Sequence, residues 1–416
     1  MERCITQTLQ QHDFSPYCRN WIGTGPRPKP KTTNLIIMAK KKPVIEGLSD
    51  ELNKIAAQNL DFAPARRLVR SAFTQIQQNL DHCLFQMAPP GIRTEEWYEL
   101  NSKHQEIFCK SWLPKPGVRM KAALCFCHGY GDTCTFFFEG IAKQIAASGY
   151  GVYAIDHPGF GLSEGLHGYI SSFDDIVDNV IEQYTIIKGR PEVRDVPRFL
   201  LGQSMGGAVA IKVHLKEPRE WDGLVLVAPM CKIAEDMRPP EPLAKALTML
   251  SRVMPKAKLV PQKDLAELAI RDSKKRKQAS YNVICYNDQT RLKTAVELLK
   301  ATNYIESQLN KASYNVICYN DQTRLKTAVE LLKATNYIES QLNKISLPML
   351  ILHGAADKVT DPMVSRFLYE KASSKDKTLK LYEDGYHCIL EGEPDEIIFT
   401  VINDIISWLD SRCTVH

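Results

Sequence analysis

A mostly parallel, doubly wound α/β sheet with an inserted helical cap is the fold this sequence predicts, and three observations predict it. From about residue 96 onward, short apolar runs alternate with amphipathic helical patterns. That is how strands buried on both faces and their crossover helices read. Between residues 230 and 345 the alternation gives way to helical periodicity, which reads as a cap over the strands' carboxyl ends, where such sheets bind ligands. Finally, Phe199-Leu200-Leu201 runs into Gly202-Gln203-Ser204-Met205-Gly206 and then into Gly207-Ala208-Val209-Ala210-Ile211. A strand, a tight turn on a serine and a helix follow one another without a break.

In chain order, residues 1–45 form a leading segment that reads as disordered. Residues 1–42 hold eight Lys or Arg against only Glu2 and Asp13, a composition shared by transit peptides, disordered tails and a misplaced start before Met38. Residues 46–95 read as a helical extension. Ser49 suits an N-cap, with Asp50 and Glu51 in the first turn. Pro64 suits the first turn of a second helix carrying Val69, Phe73, Ile76, Leu80 and Leu84 on one face. The first part of the α/β core spans 96–229: a hairpin at 97–100 and 105–112, strands at 122–127, 150–155, 198–201 and 223–228, and helices at 135–147 and 173–187. Its second part spans 346–416, with strands at 348–352 and 378–382 and helices at 362–371 and 397–409.

The cap contains a repeat. Residues 279–311 and 312–344 are identical at all 33 positions. Neither the ankyrin nor the tetratricopeptide signature is present, so the copies read as a recent duplication or a duplicated exon. One docking site cannot bury the same helical face twice. The second copy is expected to dock, because Ile345-Ser346-Leu347 ties it to the next strand, with the first looped out or lengthening the cap.

Composition narrows the function. Across 416 residues, a net charge of +5 is too small to argue for nucleic acid. Twelve cysteines, without C-x-x-C or His-rich spacing, argue against zinc and for a reducing compartment. No uncharged apolar run reaches the roughly 18 residues of a membrane span, and an intracellular site, plastid or cytoplasm, is expected. The oligomeric state is not legible.

Ser204 is expected to be a nucleophile. Gly202 and Gly206 leave room for a strained turn. A serine needs a base to take its proton and a carboxylate to orient that base. The strand at 348–352 runs into His353-Gly354-Ala355-Ala356-Asp357, and the strand at 378–382 into Glu383-Asp384-Gly385-Tyr386-His387. Serine, acid and base therefore stand in the order Ser204, Asp357, His387 at successive strand ends, the order of the α/β-hydrolase fold. Asp361 is the rival acid but reads better as an N-cap before Pro362. The backbone N–H groups of Met205 and of Tyr130, in His128-Gly129-Tyr130-Gly131-Asp132, are the expected oxyanion donors. His128 reads as holding that loop, and Asp156 and Ser163 as structural. Leu247, Met249, Leu250 and Met254 on a cap helix read either as packing or as the wall of an acyl-chain pocket.

With these motifs and His353-Gly354-Ala355-Ala356-Asp357-Lys358-Val359-Thr360-Asp361-Pro362 in place, the chain resembles the monoacylglycerol lipase-like serine hydrolases over about residues 95–416. It looks closest to the plant branch with caffeoylshikimate esterases and lysophospholipase-like enzymes. The resemblance implies an α/β-hydrolase fold, ester hydrolysis through an acyl-enzyme, no metal and no organic cofactor. A small-molecule ester or lipid is the expected partner, with peripheral membrane contact through the cap. Monoacylglycerols or lysophospholipids are the expected substrates. Phenolic esters of the caffeoylshikimate type, acyl transfer, and a non-catalytic receptor are the other readings. The departures are the N-terminal extension and the doubled cap segment, which bears on substrate choice more than on chemistry.

Overall fold

The computed structural model describes residues 44–230, 249–260, 265–288, 290–310 and 345–413. The expectations for residues 1–43, for Leu247 and for the second repeat copy at 312–344 lie outside them.

Eight strands form the main sheet: β1 Arg93–Leu100, β2 Glu106–Leu113, β3 Ala123–Cys127, β4 Gly151–Ile155, β5 Arg198–Gln203, β6 Gly223–Val227, β9 Met349–Gly354 and β10 Lys377–Tyr382. Their order is β1-β2-β4-β3-β5-β6-β9-β10. The hairpin β1–β2 and the β2–β4 pair are antiparallel, and the other pairs are parallel. The second sheet pairs β7 Lys258–Val260 with β8 Thr290–Arg291, inside the cap. A wholly helical cap is therefore corrected: the chain crosses over itself there, and Leu292 N–H and Lys293 N–H bond back to Ala257 and Pro255 carbonyls.

Period-two alternation divides the central strands between two cores, as a sheet covered on both faces requires. Leu124, Phe126, Leu201, Val225, Val227, Leu350 and Leu352 face one core. It is closed by α4 Phe137–Ala147 and α11 Asp395–Asp410, which supply Phe138, Ile141, Ile398, Val401 and Ile402. Cys125, Cys127, Leu200, Leu224, Leu226 and Ile351 face the other. That core is closed by α5 Phe173–Lys188, α6 Met205–Lys216 and α10 Pro362–Lys371. Each fully buried Leu, Val or Phe contributes roughly 1.5–3 kcal/mol.

The N-terminal extension folds as α1 Asp50–Ala56, α2 Ala63–Gln78 and α3 Cys83–Gln86. Ser49 caps α1 by accepting from Leu52 N–H, and Pro64 stands in the first turn of α2. Two details are corrected. Leu80 falls past the end of α2, and Leu84 lies on the separate α3, because the chain turns after Asn79 and the His82 imidazole accepts the Leu84 N–H to start a new helix. The sheet begins at Arg93, inside the stretch assigned to the extension, because Arg93 pairs with Leu113.

The expectation that the first repeat copy is looped out is also corrected; whether the second copy docks lies outside the described residues. The first copy, not a looped-out spacer, packs on the core. It supplies Tyr286, β8 and α9 Leu292–Asn310. Thr294 Oγ1 donates to the Gly168 carbonyl and accepts from Ile170 N–H, and Glu297 accepts from Phe173 N–H. The Arg291 guanidinium reaches Asp61, the His167 carbonyl and the Lys256 carbonyl together. Buried hydrogen-bonding groups hold the first copy at these positions. α7 Leu265–Ala269 and α8 Ser273–Ala279 complete the described cap.

Candidate active site

Strand register brings the site together. Cys127 pairs with Gly202, Gln203 with Val227, Val227 with Leu352, and Tyr382 with Gly354. The carboxyl ends of β3, β5, β6, β9 and β10 thus lie along one edge, and every residue expected of the catalytic group follows one of these ends.

Ser204 sits between β5 and α6 at φ +53°, backbone that a side chain rarely adopts and that surrounding structure must hold. Its N–H donates to the Val227 carbonyl, and its own carbonyl accepts from Gly207 and Met230 N–H. A Cβ on Gly202 would lie 2.5 Å from the Gly206 carbonyl oxygen, and one on Gly206 would lie 1.8 Å from that of Cys127. Only glycine fits either place.

His387 and Asp357 reach this serine from β10 and β9. His387 Nε2 lies 2.9 Å from Ser204 Oγ, and His387 Nδ1 lies 2.7 Å from Asp357 Oδ2. An Nδ1–H given to the carboxylate leaves the Nε2 lone pair facing the serine hydroxyl. Asp357 is itself held by Val359 and Thr360 N–H on Oδ1, and by Thr360 Oγ1 and His353 Nε2 on Oδ2. Burial opposes its charge, but the His387 charge and these bonds outweigh burial and hold it well below the usual carboxylate range. Burial likewise disfavours charged His387, and Asp357 more than compensates, raising its pKa above the ordinary value. Asp361 instead accepts from Met363 N–H at the start of α10, an N-cap as expected.

The loop after β3 lies against the serine: a Cβ on Gly129 would come within 3.4 Å of Ser204 Cβ. Tyr130 is the next residue, and Met205 opens α6, where a helix leaves its first N–H groups without intrahelical acceptors. Gly131, at φ +84°, accepts the Tyr286 N–H from the cap. His128 accepts the His157 N–H on Nε2 and bonds the Gly129 carbonyl through Nδ1, so it holds the loop. Asp156 accepts from Cys134 and Leu162 N–H, and Ser163 bridges the Asp156 carbonyl and Phe108 N–H, both structural as expected. Of the pocket residues, Met249, Leu250 and Met254 are exposed.

Sequence reasoning missed Thr360, His353, Glu391, Glu393 and Arg66. Glu393, fully buried, accepts the Tyr386 N–H beside His387 and faces Arg271 of the cap. The buried Arg66 spans the Leu60, Gly161 and Ser163 carbonyls, tying α2 to the loop after β4. Only Arg66 left a signal, since it shares the apolar stripe of Val69 and Phe73.

A family model, Hydrolase_4 (serine aminopeptidase, S33), matches residues 118–318 and 312–395, the second match starting at the first residue of the second repeat copy. The chain belongs to this family. It is similar to caffeoylshikimate esterase of Arabidopsis thaliana, 31% identical over 77% of the chain and 87% of the relative. It is also similar to monoglyceride lipase of Mus musculus, 30% identical over 75% and 89%. A solved structure of a soluble variant of monoglyceride lipase from Saccharomyces cerevisiae shares the fold. It superposes with a TM-score of 0.61 at 22% identity, covering 79% of this chain and all of that one. This member of the family is an α/β-hydrolase that cleaves carboxylic esters as a serine hydrolase.

Proposed function

We propose that Ser204, His387 and Asp357 form the catalytic triad, and that the enzyme cleaves monoacylglycerols or lysophospholipids. The observation that carries the triad is the continuous hydrogen-bonded line from Ser204 Oγ through both His387 nitrogens to Asp357. His387 Nε2 takes the hydroxyl proton as Ser204 Oγ attacks the ester carbonyl carbon. The Tyr130 and Met205 N–H groups stabilise the resulting oxyanion, typically by about 3 kcal/mol each. Collapse breaks the ester C–O bond, and the alcohol leaves with the proton from His387. Water, deprotonated by the same imidazole, then releases the acid and restores Ser204.

The glycerol-ester reading is supported by relatives named monoglyceride lipase. Exposed Met249, Val253 and Met254 on the described part of the cap suit both an acyl chain and peripheral contact with a lipid surface. A caffeoyl-type phenolic ester is the second reading, favoured by the 31% identical caffeoylshikimate esterase. The eight described cysteines are unpaired, which supports a reducing compartment such as plastid stroma or cytoplasm. No described helix is long and apolar enough to cross a membrane. A parallel assay with monoacylglycerols, lysophospholipids and caffeoyl esters tests substrate choice. The proposal expects the highest kcat/KM on a glycerol or lysophospholipid ester, and a higher value on the caffeoyl ester would overturn it.

A further inference from the structure

Four residues past His387, a second carboxyl group is buried inside the site. Glu391 is 7% exposed, and its Oε1 accepts from Gln203 Nε2 at 2.8 Å. Gln203 immediately precedes the nucleophile, so this bond joins the elbow to the loop that carries His387. Glu391 Oε2 is buried and meets no nitrogen or oxygen partner among the described residues, the Cys388 thiol being the nearby group. The backbone there is fixed independently: the Glu391 carbonyl accepts from His82 Nε2, whose Nδ1 already accepts from Leu84 N–H. An acid in this position is expensive unless its charge is used.

We propose that Glu391 is a positioning residue for the nucleophile elbow and a second charge acting on His387, with its Gln203 bond fixing Ser204 and its carboxylate favouring the imidazolium. The proposal rests on the triad reading given above.

The groups facing it come from every neighbouring element. Asp132 stands on the loop after β3, with Asn282 Nδ2 of the cap on its Oδ1 and His128 in the same loop. His387 and Cys388 share its own loop, with Asp357 and His353 behind His387. His82 and Lys275 lie on the α3 side, where burial and the Lys275 charge keep His82 neutral, with its pKa lowered to about 4. Burial, reinforced by Asp132, pushes the Glu391 carboxyl up to about 7, and the Gln203 bond, the Cys388 thiol and His387 pull the other way. Its charge in turn raises the pKa of His387. Once ionised, the carboxylate acts on the same imidazole that must take the serine proton. At the moment of attack it stabilises the positive charge forming on His387.

Two variants separate the halves of this assignment. Glu391→Gln keeps an acceptor for Gln203 and removes the charge. Glu391→Asp keeps the charge and withdraws it from Gln203. The readouts are NMR titration of the His387 imidazole in histidine-labelled protein, assigned with His387→Gln, and the rate of fluorophosphonate labelling against pH. Glu391→Gln is expected to lower the His387 pKa by about half a unit or more and to move the acid limb of labelling by the same amount. Glu391→Asp is expected to leave the titration in place and to slow labelling about tenfold at every pH, including alkaline pH. A Glu391→Gln titration superimposed on wild type would overturn the electrostatic half, and unaltered labelling by Glu391→Asp would overturn the positioning half. Should Glu391→Gln fail to fold, Glu391→Asp titrating as wild type but labelling slowly still supports the positioning half. If wild type does not label at Ser204, the triad reading itself fails, while the imidazole titration still decides whether Glu391 acts on His387.

Discussion

At Ser204 the chain holds a side chain at φ +53°, at a cost of roughly 1–3 kcal/mol. It is held there by backbone bonds to Val227, Gly207 and Met230 and by two glycines that nothing larger can replace. Gly206→Ala should therefore prevent folding of the elbow and abolish labelling, whereas Ser204→Ala should abolish labelling with thermal stability unchanged. Asp357→Asn should lower kcat by about 10⁴-fold, since the amide presents a donor where the imidazole Nδ1–H needs an acceptor. The pH profile follows from the raised His387 pKa. Below that pKa the base is protonated, so kcat/KM should fall as pH falls through it, and it should not fall in a Ser204-independent control reaction. These residues were legible because each is a reactive type at a strand end. Thr360, His353 and Glu391 were not, because a threonine in a turn, a histidine in a strand or a glutamate before a helix is ordinary until the fold brings it to Asp357, His387 or Gln203.

At the scale of elements, the strands and crossover helices were legible from apolar runs, since a strand buried on both faces has no polar side to blur its pattern. The cap was read less well. Its two-stranded sheet is too short to announce itself, and two identical copies carry no sequence difference from which the packing of the first could be read. Identity has a further consequence: deleting 279–311 or 312–344 produces the same polypeptide. That single deletion should leave folding and labelling intact, because one copy suffices to supply the residues corresponding to Tyr286, Arg291, Thr294 and Glu297. Circular dichroism and probe labelling of the deletion variant check this, and an unfolded product would show that both copies are needed. The extension is likewise structural. Arg66→Ala would leave the Gly161 and Ser163 carbonyls unsatisfied in the interior. The expected loss is about 3 kcal/mol, read as a lower midpoint in urea unfolding.

Over the whole molecule, five strand ends along one edge convert scattered residues into a site, and the register of β3, β5, β6, β9 and β10 does the converting. Fold class and chemistry are both contained in that arrangement. In the cap, Met249, Leu250 and Met254 are exposed and Tyr286 N–H bonds to the Gly131 carbonyl. The central claim is that Ser204 is the nucleophile of an ester hydrolase activated by His387. Treatment of the full chain with a fluorophosphonate, followed by peptide mass spectrometry, tests it most directly. A single adduct on Ser204, lost in His387→Ala, is the predicted result. An unmodified Ser204 in folded wild-type protein, or labelling undiminished in His387→Ala, would contradict it.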